Sequence, residues 1–142
     1  MPFDLRAQRR NLYPATALTA QTVVSQTEKA TVGRGVRLYV YCSVPTAGGG
    51  TDSISLCALP PNGGAAVVLA GFSKANLLAQ TATLVFDFYP GETGDYTGAG
   101  ITFAAGATFA TVALSLPLNW AVQIVLGTGN TATVAIDAEI PP

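Results

Sequence analysis

The chain contains no histidine. Imidazole is the commonest general base and metal ligand near neutral pH, so its absence removes Ser-His-Asp catalysis and most transition-metal sites. Charge is scarce too: Asp, Glu, Lys and Arg make up 11% of residues, against a usual ~25%. A surface with so few charges is weakly defended against association. Two cysteines are too few for a disulfide framework or a four-ligand zinc site. Strand alternation puts Cys42 on an apolar face and Cys57 on the opposite face of the next strand, so both are expected to stay thiols. No apolar run approaches the ~20 residues of a membrane-crossing helix. The start, Met1-Pro2-Phe3-Asp4-Leu5-Arg6, lacks the apolar core of a secretory leader, so a soluble, cytoplasmically made protein is expected.

Other chemistry is equally thin. Gly98-Ala99-Gly100 and Gly127-Thr128-Gly129 are not followed by a helical pattern, so neither reads as a phosphate-binding loop. Glu92 and Asp95 share a glycine-rich loop, but two acids in such a loop are ordinarily solvated, and no metal is assigned. Glycoside hydrolysis needs paired acids in an aromatic-walled cleft; Asp52, and Asp87 with Tyr89, are the candidates, and they are set aside. Trp120, the single tryptophan, opens an apolar strand and reads as a core plug in preference to a sugar platform. The expectation is a protein that is not an enzyme, with no catalytic residues and no cofactor.

What is abundant is alternation. Val36, Leu38, Val40, Cys42 and Val44 take every second position, with Arg37, Tyr39, Tyr41 and Ser43 between them. After a Gly-rich connector, Ile54, Leu56 and Ala58 alternate with Ser53, Ser55 and Cys57. Period-2 runs on either side of such a connector predict one hairpin over 36–59. Residues 65–72 read as a short strand after the Pro60-Pro61-Asn62-Gly63-Gly64 turn. Residues 81–89 place Leu84, Phe86 and Phe88 inward, and 111–116 alternate again. Trp120, Val122, Ile124 and Leu126 face Ala132, Val134, Ile136 and Ala138 across Gly127-Thr128-Gly129-Asn130, a second predicted hairpin. Residues 91–108 show no sustained period and read as a long loop. Seven to eight short strands indicate an all-β chain: a two-sheet antiparallel β-sandwich, jelly-roll-like, with an extended N-terminal arm.

The net charge of −1 hides an asymmetry. Residues 1–37 carry six cations against two anions, a net of +4, and residues 38–142 carry one against six, a net of −5. Residues 1–33 therefore read as an arm plus first edge strand on a sandwich spanning 34–142, with 1–15 extended and poorly ordered when free. Phe3, Leu5 and Tyr13 beside Arg6, Arg9 and Arg10 look built to land on a partner. Arg37, Tyr39 and Tyr41 stand together on one strand face, the residue types enriched at interface centres. Three arginines near one terminus make too small an electrostatic footprint for nucleic acid.

Several stretches together resemble small virion structural proteins of tailed bacteriophages, of the capsid decoration or cement type. They are Arg34-Gly35-Val36-Arg37-Leu38-Tyr39-Val40, Thr51-Asp52-Ser53-Ile54-Ser55-Leu56, Phe88-Tyr89-Pro90-Gly91, Leu116-Pro117-Leu118-Asn119-Trp120-Ala121-Val122 and the closing Gly-x-Gly turn. The similarity covers roughly residues 33–138 and is one of pattern. It implies a β-sandwich on the outer surface of a capsid, bridging major capsid protein subunits as a homotrimer or homodimer, with an arm along the shell. Phe3, Leu5, Arg6, Arg9, Arg10, Tyr13, Arg37, Tyr39 and Tyr41 would then be the capsid or subunit interface, with neither membrane nor nucleic acid as partner. A carbohydrate-binding or host-attachment module, with Tyr39, Tyr41, Tyr96 and Phe103 as its aromatics, and a tail or head-completion protein are the alternatives.

Overall fold

A computed structural model describes residues 8–25, 28–29, 35–88, 102–103 and 119–140. The described residues form strands β1 (Gln8–Thr19), β2 (Thr22–Val24), β3 (Glu28–Lys29), β4 (Val36–Thr46), β5 (Thr51–Ala58), β6 (Val67–Ala75), β7 (Ala82–Phe88), β8 (Thr102–Phe103), β9 (Asn119–Val125) and β10 (Thr131–Ile140). All pairings are antiparallel. One sheet, A, has the order β1-β10-β4-β7. The other, B, has the order β2-β9-β5-β6-β8, with β3 also on β9.

That order is a rolled hairpin. The first strand pairs with the last, β2 and β3 with β9, β4 with β7, and β5 with β6. Two lateral pairings, β10 with β4 and β9 with β5, close the roll into two sheets. Counting β2 and β3 as one interrupted strand, and β8 as part of an excursion between β7 and β9, this is the eight-stranded jelly roll.

The alternation is real, but its partners are not those expected. The 36–59 stretch is not a hairpin: β4 lies in sheet A and β5 in sheet B, so the 47–50 connector crosses between the layers. The predicted β9–β10 hairpin is corrected in the same way, because its turn also passes from one sheet to the other. Period 2 reports which face a residue takes and says nothing of the neighbouring strand. Along β4 the burial alternates through Cys42 and then stops. Val44 adopts φ 48°, where the β4–β10 register shifts, and its side chain is 78% exposed.

The arm also needs correcting. Residues 8–15, expected to be loose, belong to β1, which pairs with β10 from Gln8↔Ile140 to Thr19↔Thr131. The register slips between Asn11 and Tyr13 and again between Tyr13 and Thr16, around Pro14. Proline cannot donate to a ladder, and an edge strand with a bulge is where a sheet tolerates it. Leu12 and Leu18 on either side of the slip are both buried in the core. Residues 1–7 of the predicted arm lie outside the described residues, as do 26–27, 30–34, most of 91–108 and the predicted strand at 111–116.

The core is the space between the sheets. Leu38, Val40, Val134, Ile136, Ile54, Val122, Ile124 and Trp120 are essentially inaccessible. Phe72 packs on Phe86 and Phe88 with ring centroids 5.5 and 5.3 Å apart. Trp120 is the expected core plug; its indole Nε1 is buried without a hydrogen-bond partner. Both cysteines are free and buried, one in each sheet. Burial, and then the charge of Asp52, pushes the Cys42 thiol up to about 11; burial also raises Cys57.

One end of the sandwich is held by a polar clamp that the alternation does not announce. Asp52 is fully buried. Its Oδ2 accepts from the backbone N–H of Leu78 at 2.8 Å, and its Oδ1 accepts from Gly127 N at 2.8 Å and Asn130 Nδ2 at 2.7 Å. Asn130, also fully buried, donates from Nδ2 to Gly50 O and accepts at Oδ1 from Gly48 N. These two side chains tie the β4–β5, β6–β7 and β9–β10 connections together. The backbones there touch: a Cβ on Gly50 would lie 2.6 Å from Gly127 C, and one on Gly48 would lie 2.5 Å from Gly129 C. Asp52 is thus a structural acid, and Asp87 lies on the outer side of the other sheet, so the two make no catalytic pair.

Candidate functional site: the outer face of the four-stranded sheet

The side of sheet A that faces away from the core collects Arg9, Arg37, Tyr39 and Tyr41. On β10 the odd positions 131–139 are half-buried while the even ones are buried. On β4 the face is Arg37, Tyr39, Tyr41 and Ser43; on β7 it is Thr83, Val85 and Asp87; β1 adds Arg9 and Asn11. Register then sets these residues in rows across the strands. Arg9 pairs with Glu139, Glu139 with Arg37, and Arg37 with Asp87. The row is a ladder of alternating sign over the full width of the sheet.

The ladder is already ion-paired within the chain. Arg37 donates from Nε to Asp87 Oδ1 at 2.7 Å and from Nη2 to Oδ2 at 3.1 Å, a forked contact. Hydrogen bonds to Asp87 and then to Tyr39 raise the Arg37 pKa further, so it is a permanent cation. Arg9 Nε lies 3.6 Å from Glu139 Oε2, with the Arg9 side chain 86% exposed. The second row is Asn11, Asp137, Tyr39 and Val85, with Asn11 Nδ2 donating to Asp137 Oδ1 at 2.8 Å. The third is Ala135, Tyr41 and Thr83. Among the described residues, Tyr41 and Val85 are two of the few large apolar residues left exposed, at 41% and 52%.

The structure therefore brings Arg9, Arg37, Tyr39 and Tyr41 onto one face and separates the rest. Tyr13 is half-buried and packs against the core, because the register slip between Asn11 and Tyr13 pairs it with Ile136, a core-facing position, so it does not share the outer face. Arg10 is exposed and pairs with Ala138, a core-facing position, so it lies on the opposite side of β1 from Arg9. Phe3, Leu5 and Arg6 lie outside the described residues. Sequence reasoning missed Glu139, Asp137, Val85 and Asp87 as members of the face. Their parity in strands β7 and β10 was readable; that β10 lies between β1 and β4 was not.

On this face the ionic groups are engaged with one another. Its acids are taken up by Arg37, Arg9 and Asn11, and it is an open sheet surface. Its chemistry is that of contact: permanent charges, phenol hydroxyls and small apolar gaps.

No family model matches the chain, and no curated protein matches it. Among solved structures, a chain in the structure of infectious bursal disease virus Gx strain superposes with a TM-score of 0.37 and 13% sequence identity. The match covers 96% of this chain and 33% of that one, so the present chain spans about a third of its length. A superposition of that quality leaves the fold to be argued from strand order alone.

Proposed function

We propose that this protein is a non-enzymatic virion structural protein. It binds the outer surface of a phage capsid at junctions between major capsid subunits and stabilises the shell. The observation that carries the reading is the outer face of sheet A, where exposed tyrosine, valine and alternating charge replace the dense like-signed charge that keeps monomers apart. The jelly-roll strand order is in keeping with it, being an architecture of viral capsid domains as well as of lectins and cupins. The pattern resemblance to decoration proteins points the same way. Mechanically, a shell offers many identical sites, so an oligomer with several weak contacts per copy gains by multivalency what no single contact supplies.

In this reading residues 1–7, with Phe3, Leu5 and Arg6, reach the major capsid protein, and Arg9 and Arg10 flank that contact. A truncation test must therefore stop at residue 7, because removing 8–13 takes out half of an edge strand. The experiment is co-sedimentation of the full chain and of the 8–142 chain with expanded phage shells. Saturable binding of the full chain, lost in the truncated one, is the expected result. Full occupancy by the truncated chain contradicts the arm; no binding by either contradicts the capsid reading. Saturable glycan binding by the isolated chain would favour the host-attachment alternative.

A further inference from the structure

We infer that the outer face of sheet A is a homodimer interface whose two-fold axis runs parallel to the strands between β10 and β4. This deepens the assembly reading above and rests on it only in expecting self-association. Symmetry and the sign of the charges single it out. Face-to-face packing of a surface on its own copy places the two-fold axis in the plane of contact. The ladder reads plus, minus, plus, minus from Arg9 through Glu139 and Arg37 to Asp87.

An axis along the ladder itself would set every charge against its own copy, four like-sign contacts. An axis parallel to the strands but lying on β10 would set Arg9 against Arg37 of the second copy. Only an axis between strands reverses the ladder onto opposite signs. The central one, between β10 and β4, does so with the largest overlap. Arg9 then faces Asp87 of the second copy, and Glu139 faces Arg37. Like-charge juxtaposition is what a natural interface avoids, so the sign pattern selects this arrangement over the others.

The remaining rows agree with the same operation. It lays Tyr41 over Ala135 of the second copy, large against small, and brings Tyr39 to Asp137, a phenol donor to a carboxylate. Asn11 meets Val85, a neutral pair. Sheet twist rotates two stacked faces by about 30°. With strands about 4.8 Å apart, that displaces the outermost ladder pair by about 4 Å, which the long, 86% exposed Arg9 side chain can absorb. Four strands make a face only about 19 Å wide, so the dimer belongs with small interfaces and dissociates in the micromolar range.

The test is self-association of the full chain by sedimentation velocity, followed by copy exchange read by native mass spectrometry. Wild type is expected to form a dimer. Glu139→Arg is expected to weaken it at least about tenfold, since the new cation faces Arg37 of the second copy. A fourfold variant, Arg9→Glu, Arg37→Glu, Asp87→Arg and Glu139→Arg, inverts the ladder while keeping every neighbour opposite in sign. It should dimerise with itself and fail to mix with wild type. A wild-type monomer at about 0.5 mM, far above the expected range, overturns the inference. So does a trimer, an undiminished Glu139→Arg dimer, or statistical mixing of wild type with the inverted variant. If the fourfold variant does not fold, the single variant decides. Shell occupancy is not read in this experiment, so its failure leaves capsid binding standing.

Discussion

Replacing Asp52 is the sharpest perturbation of this fold. Its carboxylate is fully buried and accepts three hydrogen bonds, from Leu78 N, Gly127 N and Asn130 Nδ2. In Asp52→Ala all three donors lose their partner at once, and a buried donor left unsatisfied costs about 1–3 kcal/mol. The expected loss is about 3–6 kcal/mol, taken from a total of about 5–15 kcal/mol. In Asp52→Asn the shape is kept. The amide oxygen can stay on Oδ1's two donors, which leaves the amide nitrogen facing the Leu78 N–H. That variant should lose about 1–3 kcal/mol, one bond's worth. The assay is guanidinium unfolding followed by Trp120 fluorescence, with the midpoint falling at constant slope. For a chain of this size each kcal/mol lowers the melting temperature by about 2–4 °C, so Asp52→Ala should melt about 6–24 °C below wild type. An alanine variant within about 1 kcal/mol of wild type, or one no worse than the asparagine variant, refutes the clamp.

Gly127→Ala should cost about 2–4 kcal/mol, because its Cβ would sit 2.5 Å from Gly50 C. Gly49→Ala meets nothing within 4 Å and only opposes a φ of +88°, so it should cost about 1 kcal/mol; equal losses in chemical denaturation would contradict the backbone contact. Trp120 emission should be blue-shifted and resist acrylamide quenching, and Trp120→Phe should be milder than Trp120→Ala because it removes an orphaned buried N–H along with part of the ring. Both thiols have folded-state pKa values above the ordinary value of 9.0, with Cys42 near 11. The unfolded chain therefore loses these protons first, and stability should fall as pH rises from 9 toward 11. Cys42→Val should flatten that decline; an unchanged slope would mean the thiol is not held protonated.

The parts of the fold legible from the chain were those set by period 2. Phe86 and Phe88 in β7, Trp120 to Ile124 in β9 and Val134 to Ala138 in β10 all face where alternation puts them, and the sandwich itself follows from that. Strand partners did not follow. A Gly-rich connector reads the same whether it folds back in one sheet or crosses to the other, and here both expected hairpins cross. β1 was hidden because Pro14 and two register slips interrupt its period, although Leu12 and Leu18 still reach the core. The burial of Asp52 was not legible because it depends on donors that arrive from Leu78, Gly127 and Asn130, far along the chain. Of the candidate site, the Arg37–Tyr39–Tyr41 face was readable within one strand. The sign-alternating ladder was not, since it exists only once four distant segments lie side by side.

In the proposed role this chain works by adhering to many identical neighbours. Its copy number in purified virus particles, counted by quantitative mass spectrometry, tests that most directly. As many copies as the shell has junctions between capsid subunits is the predicted result. A chain absent from particles, or present only in the few copies of a single vertex, would contradict it.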